Sequence, residues 1–137
     1  MNRRDLQRLA RVRITEARAL LDRRLYSGAY YLAGYAVECG LKACVAKRTR
    51  RYDFPDKKLA NDSFTHNLNS LVGVAGLQTS LNAEMARDPA FSVNWATVKD
   101  WNPESRYNIQ TARSARDLYR AINDRRHGVL RWLEFHW

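Results

Sequence analysis

The sequence predicts an all-α protein, and three observations support this fold class. Apolar residues recur at helical spacing along several segments, no segment alternates as a β-strand would, and the segment from Tyr26 to Lys47 is apolar or small on every side. A chain of 137 residues with 45% hydrophobic residues is large enough to bury one core. We therefore predict a single helical domain spanning 1–137. Its expected architecture is an up-and-down four-helix bundle with short extra helices between the second and last long helices.

The predicted central helix runs from Tyr26 to about Arg48. Between Arg24 and Lys42 its only charged residue is Glu38, so no side of this helix is suited to face solvent. The uncharged part is shorter than the roughly 18–20 residues that a bilayer requires, so we expect no membrane segment. Small residues would let neighbouring helices approach closely: Gly28, Ala33, Gly34, Ala36, Gly40 and Ala43.

The other segments alternate between amphipathic helices and polar connections. Leucines lie on one stripe of 4–24 and arginines lie opposite, which indicates a first helix that turns into the central helix at Ser27–Gly28. Asp88 and Pro89 are typical of an N-cap and first helical turn, and Trp95, Val98 and Trp101 would follow on the core side. The remaining predicted elements are a surface loop at 49–64, short helices at 68–76 and 77–87, a turn at 102–105, and a last long helix from about 109 to the end.

The cysteines and histidines predict neither a disulfide nor a metal site. Cys39 and Cys44 are five residues apart on one predicted helix, about 140° around its axis, so they cannot bridge each other. Their spacing to the histidines fits no zinc motif, and no glycine-rich phosphate loop is present, so we expect no metal and no cofactor. With neither a CxxC pair nor a signal-peptide pattern, reduced thiols in the cytoplasm are the expectation.

The net charge of +10 comes mainly from clustered arginines. Such clusters indicate a phosphate-bearing or acidic partner, the alternative being a solvated, arginine-rich surface. Helical spacing places one cluster on a single ridge of the predicted last helix, outside the core stripe, with Arg120 and His127 two turns or about 10.5 Å apart. We predict that this ridge binds nucleic acid and that a twofold dimer could bring two ridges together. Its members are Arg113, Arg116, Arg120, His127 and Arg131.

Four segments carry a family resemblance. The run from Tyr30-Tyr31 through Leu-Ala-Gly-Tyr-Ala-Val to Glu38-Cys-Gly-Leu-Lys-Ala is similar to the second helix of HEPN domains, small prokaryotic helical proteins often encoded beside nucleotidyltransferases. The segments Thr65-His66-Asn67-Leu68, Trp101 with Arg106-Tyr107, and His127 to Trp132 resemble the same family in the same order. The resemblance covers most of the chain. It implies either a ribonuclease or a non-catalytic partner protein, because the family contains both.

The resemblance implies catalytic roles for Arg120 and His127. HEPN ribonucleases carry an Arg-x(4–6)-His motif on the last helix, paired across a dimer, and these two residues match it with six intervening residues. His127 would then be general base or acid when an RNA 2′-hydroxyl attacks its own phosphate, and Arg120 would stabilise the phosphorane. Ala121 departs from the Asn, Asp or His usual after the arginine. A related toxin branch has Arg-x(5)-Tyr, which Arg113 to Tyr119 matches.

The remaining expectations concern structure and partners. A lone carboxylate in an apolar helix needs a partner, and the setting of Arg106 in the family implies a buried Glu38–Arg106 ion pair. His66 is expected to anchor a short helix. We expect a homodimer packed through surplus apolar surface near Trp132, Phe135 and Trp137. Two functions remain open: a protein that binds or cleaves RNA, as a metal-independent endoribonuclease of the toxin or defence type, and a non-catalytic partner of a separate nucleotidyltransferase.

Overall fold

A computed structural model describes residues 1–51 and 57–137, except for the side chains of residues 50 and 51. Within these ranges the chain forms eight α-helices, one 3-10 helix and no strand, which confirms the all-α prediction. The helices are α1 (Arg3–Asp22), α2 (Tyr26–Arg51), α3 (Lys57–Asp62), α4 (Leu68–Val74), α5 (Gln78–Arg87), α6 (Pro89–Val98), the 3-10 helix (Pro103–Tyr107), α7 (Ala112–Asn123) and α8 (Val129–Glu134).

Helices α1 and α2 form an antiparallel pair. The guanidinium of Arg13 lies 5.9 Å from the centroid of the Tyr35 ring, whereas Leu20 lies beside Gly28 at the other end of the pair. The turn that joins the helices is at 23–25, with Arg24 in the left-handed region at φ 60°. The predicted turn at Ser27–Gly28 is therefore wrong, because both residues lie inside the first turns of α2.

The prediction that α2 is the central helix is confirmed. It contacts α1, α4, α7, α8 and the 3-10 helix, and most of its length from Ala29 to Val45 is buried. The indole of Trp101 lies so close to Gly34 that an added Cβ would fall within 3.0 Å of the ring. A residue without a side chain is therefore required where the segment after α6 crosses α2.

Within the described ranges, four short α-helices and the 3-10 helix separate α2 from α7; short helices were expected there, although their bounds differ from the prediction. Part of the predicted loop at 49–64 is helical, because α2 continues to Arg51 and α3 occupies Lys57–Asp62; residues 52–56 lie outside the described residues. Helix α6 begins at Pro89 with Asp88 as its N-cap, which confirms that prediction. Trp95, Val98 and Trp101 are buried as expected.

The α7–α8 segment runs along α2 in the same direction. The backbone N–H of Gln110 donates to Ser27 Oγ at 2.9 Å, and further along α2 the side chains of Leu133 and Trp137 lie beside Gly40. Within the described ranges, no helix is both long and apolar enough to cross a bilayer. The finer expectation of a four-helix, up-and-down bundle stays a prediction.

Candidate functional site

The last part of the chain is broken between α7 and α8, so the prediction of one continuous last helix is wrong. Residues 124–128 form a loop in which Asp124 Oδ1 accepts hydrogen bonds from the backbone N–H groups of Arg126 (3.0 Å) and His127 (2.7 Å). At Gly128 an added Cβ would fall within 3.0 Å of backbone atoms of Ile122 and Asp124. The carboxylate and the glycine together hold a tight connection that a helix would not allow.

His127 lies in this loop and is held by three side chains. Its Nδ1 is 2.7 Å from Asp88 Oδ2, its backbone N–H donates to Asp124, and its carbonyl accepts a hydrogen bond from Asn94 Nδ2 at 2.9 Å. An ionised carboxylate can only accept, so Nδ1 carries the proton and Nε2 is the basic nitrogen of the neutral ring. The side chain is 41% exposed, and Nε2 has no hydrogen-bond partner among the described residues.

Both carboxylates beside His127 are ionised at neutral pH. The hydrogen bond from the His127 side chain is the largest cause that lowers the pKa of Asp88, and the backbone N–H groups of Phe91 and Ala90 lower it further. The backbone N–H groups of His127 and Arg126 lower the pKa of Asp124. Asp88 thus performs two tasks, since one carboxylate caps α6 and binds the imidazole. Its position fixes the ring relative to α6.

The predicted ridge of five basic residues is divided by this loop. Arg113, Arg116 and Arg120 lie on the exposed side of α7 as predicted; Arg113 is 3.9 Å from Asp117, and Arg116 Nη2 donates to Tyr26 Oη at 3.3 Å. Arg131 lies beyond the break on α8, where its Nη1 donates to Glu134 Oε1 at 3.1 Å. The prediction that it lies on one continuous helix with the other three arginines is therefore wrong.

Arg120 and His127 are not two turns apart on one helix, because α7 ends at Asn123. Arg120 is in the last turn of α7, and its carbonyl accepts the N–H of Asp124 at 2.9 Å, so it lies one turn before the loop. Its guanidinium is exposed and makes no ion pair or hydrogen bond within the described ranges. It is available to bind an anion.

A cleft of about 620 Å³ opens beside the loop, and we call it the α5–α8 cleft. The sequence did not single it out, because its walls come from segments that are distant along the chain. Its lining consists of Ser80, Ala83, Glu84, Arg87, Phe91, Arg125, Arg126, Gly128, Arg131, Trp132, Phe135 and His136.

Glu38 is buried as predicted, but its expected ion pair with Arg106 is wrong. Its Oε1 binds Lys42 Nζ at 3.3 Å and His66 Nδ1, while Oε2 is buried without a partner among the described residues. Arg106 is exposed on the 3-10 helix, with its guanidinium 4.7 Å from the centroid of the Tyr107 ring. His66 thereby anchors the segment before α4 to α2, as expected of it.

The apolar surface proposed for dimerisation is mostly covered within one chain. Trp132 is buried with its ring 5.6 Å from that of Phe91, and Trp137 is buried against Gly40 and below Arg11. The expectation that Trp132 and Trp137 supply a dimer surface is therefore wrong. Phe135 is 86% exposed and is the part of that surface that remains.

The two cysteines are buried free thiols, as expected. Burial is the main cause that raises the pKa of Cys39 to about 11 and that of Cys44 to about 12. Both thiols are therefore protonated and poorly nucleophilic at neutral pH. Across 1–51 and 57–137, no three His, Cys, Asp or Glu side chains are grouped as metal ligands.

Comparisons with known protein families, with curated proteins and with solved structures found no match to this chain. The HEPN resemblance therefore stays a prediction.

Proposed function

We propose that this protein is an RNA-directed HEPN-type domain that cleaves RNA without a metal ion, in the manner of toxin or defence endoribonucleases. The observation that carries the proposal is the set of contacts to His127. Three side chains from two separate segments fix its backbone and Nδ1, whereas Nε2 has no hydrogen-bond partner among the described residues. An oriented imidazole of this kind is suited to proton transfer.

The reaction uses groups that the RNA already contains. Nε2 of His127 removes the proton from a ribose 2′-hydroxyl, the 2′-oxygen forms a bond to the adjacent phosphorus, and the bond from phosphorus to the 5′-oxygen breaks. The products are a 2′,3′-cyclic phosphate and a 5′-hydroxyl, whose oxygen takes a proton from an imidazolium or from water. Asp88 stabilises the imidazolium by accepting from Nδ1.

Arginines supply the positive charge that this reaction requires. Arg120 lies one turn before the loop, and its guanidinium has no partner among the described residues, so it is suited to stabilise the charge of the phosphorane as the resemblance implies. Arg113 and Arg116 on the same exposed side would attract the RNA backbone, with Arg131 contributing from α8. If phosphates are bound in this way, affinity falls with salt by about 0.7 logarithmic units per contact and per logarithmic unit of salt.

The experiment compares RNA cleavage in EDTA by the wild type and by His127→Ala. Because general acid–base catalysis contributes about 100- to 10,000-fold, cleavage by His127→Ala should fall by that factor while RNA binding persists. His66→Ala is the matched control, since His66 also binds a carboxylate through Nδ1 but lies away from the loop. Arg120→Ala should weaken both binding and cleavage. Equal cleavage by the wild type and His127→Ala would end the catalytic proposal.

A homodimer belongs to this proposal, because HEPN ribonucleases resembling this chain pair their motifs across two protomers. Light scattering at tens of micromolar should give twice the mass of one chain. A monomer mass for the wild type would contradict the dimer.

The second candidate is a non-catalytic partner of a separate nucleotidyltransferase. The observation in its favour is that the Asp88–His127 pair also fastens the α7–α8 loop to α6, which is a purely structural task. In that case His127→Ala would lower the melting temperature, and neither the wild type nor this variant would bind or cleave RNA. A nucleotidyltransferase encoded beside this chain would then co-elute with it in gel filtration.

A further inference from the structure

The α5–α8 cleft has the dimensions of a ligand site. Its volume of about 620 Å³ lies within the range of roughly 300–1,000 Å³ typical of small-molecule pockets. Residues of α5, of the 124–128 loop and of α8 form its walls. These segments are far apart along the chain, so the walls of the cleft come together only when the chain folds.

Four arginines line this cleft together with one glutamate. Arg87 is neutralised by Glu84, since the two side chains make an ion pair at 2.5 Å, and Arg131 is paired with Glu134. Arg125 and Arg126 make no ion pair within the described ranges. The guanidinium groups of these two consecutive residues therefore remain to bind an external anion, and phosphate is the group that such forks bind best.

Aromatic rings line the same cleft as these two arginines. Trp132 is buried in the wall, where the His136 ring meets it edge-on at 5.1 Å, and Phe135 is exposed to solvent. Burial, followed by the charge of Lys47, lowers the pKa of His136, so its ring is neutral at pH 7. An exposed aromatic ring beside unpaired arginines is the combination that binds single-stranded nucleic acid, with bases stacked and phosphates neutralised.

We infer that the α5–α8 cleft binds a single-stranded segment of RNA, with a base stacked on Phe135 and the adjoining phosphates held by Arg125 and Arg126. The cleft borders the candidate catalytic pair on both sides, because Arg87 precedes Asp88 and Arg126 precedes His127. A strand held there would continue past His127. This inference rests on the proposed function in taking RNA as the ligand. An acidic peptide could use the arginines but has no base to stack on Phe135.

The test measures binding apart from cleavage. The probe is a fluorescein-labelled 2′-O-methyl oligouridylate about eight nucleotides long, which lacks the hydroxyl nucleophile and so cannot be cut. Anisotropy titrations at several salt concentrations give Kd and its salt dependence. Phe135→Ala should weaken binding by about 5- to 140-fold, because stacking of one base is lost. Phe64→Ala is the matched control, since Phe64 is also exposed but lies outside the cleft.

A second pair of variants separates the cleft from general charge. Arg125→Gln/Arg126→Gln should reduce the salt slope by about 1.4, whereas Arg4→Gln/Arg23→Gln removes the same charge from exposed sites on and beside α1 and should leave it nearly unchanged. Equal effects of the two double variants, or an unchanged Kd for Phe135→Ala, would overturn the inference. The inference would also be overturned if a polyglutamate peptide displaced the probe equally well from the wild type and from Phe135→Ala. Binding is measured without cleavage. If none of these variants loses cleavage, the binding result still stands, so the two proposals can fail separately.

Discussion

Two histidines bind carboxylates through Nδ1, but the two pairs differ in which partner the surrounding contacts hold in place. Glu38 is only 2% exposed and holds both Lys42 and His66, whose own side chain is 59% exposed. At the other pair Asp88 is 11% exposed, and three side chains converge on His127. In the first pair the partners satisfy a buried carboxylate; in the second, the contacts orient an imidazole. The difference separates a pair that serves stability from one suited to chemistry.

The largest expected effect comes from removing both partners of Glu38. Lys42→Ala/His66→Ala leaves a buried carboxylate without a partner, so the free energy of unfolding should fall by about 3–5 kcal/mol in urea titrations. Adding Glu38→Gln to this double variant should restore most of the loss, because an uncharged amide of the same size costs less to bury. If that third substitution restores nothing, the carboxylate is not what the partners satisfy.

The second prediction concerns the other pair. Asp88→Asn keeps an N-cap residue of similar strength but removes the charge that stabilises the imidazolium of His127. RNA cleavage should fall by up to about 100-fold, the lower bound of what general acid–base catalysis contributes. The urea midpoint should fall only slightly, by the stabilisation that the charge of Asp88 supplies. Asp62→Asn, an exposed change in α3, is the control. A large loss of stability with unchanged cleavage would make Asp88 a structural residue only.

Acid should act on the second pair through its carboxylates. The pKa values of Asp88 and Asp124 are lowered from 3.8 in the folded protein, so their stabilisation is fully present above that value. It is lost as the pH falls through the lower folded values, because the unfolded chain binds protons first. Thermal melts between pH 5 and pH 2 should therefore decline less steeply for Asp88→Asn/Asp124→Asn than for the wild type. Parallel declines would contradict this assignment.

The smallest expected effect is a change in the pKa of Cys39, which follows Glu38 in the chain. Burial first, and then the charge of Glu38, raise the pKa of Cys39 to about 11. Glu38→Gln should lower that pKa, though burial keeps it above 9.0, as measured by alkylation rates against pH and peptide mapping. Glu38 is not among the causes that raise the pKa of Cys44, which is the internal control. An unchanged Cys39 profile would show that the charge of Glu38 does not act on this thiol.

Local signals in the sequence predicted the secondary-structure elements better than they predicted the contacts between those elements. The apolar α2 and the Asp88–Pro89 start of α6 were found because each depends on neighbours along the chain. The break after Asn123 also had a local signal, in Asp124 followed by Gly128, but the apolar stripe continues across it and favoured an unbroken helix. Hydrophobic periodicity alone cannot distinguish one helix from two in line.

The site was predicted in part. His127 and Arg120 were identified by resemblance, and Lys42 as a partner of Glu38 could have been found from its i,i+4 spacing. Asp88 and Asn94 could not be assigned to His127, since they lie 39 and 33 residues away along the chain. Such contacts depend on how α6 packs against α7, and periodicity gives no information about that packing.

The antiparallel pair of α1 and α2 also bears on the order in which the protein folds. These helices are joined by a three-residue turn and share the most extensive contact among the described elements, so closing the pair costs little chain entropy. The contacts of His127 with α6 close much longer loops and should form after the transition state. Amides at the start of α6 and in the 124–128 loop should then exchange with deuterium through openings that leave the α1–α2 pair protected. The region proposed to act on RNA would be the one that opens most readily.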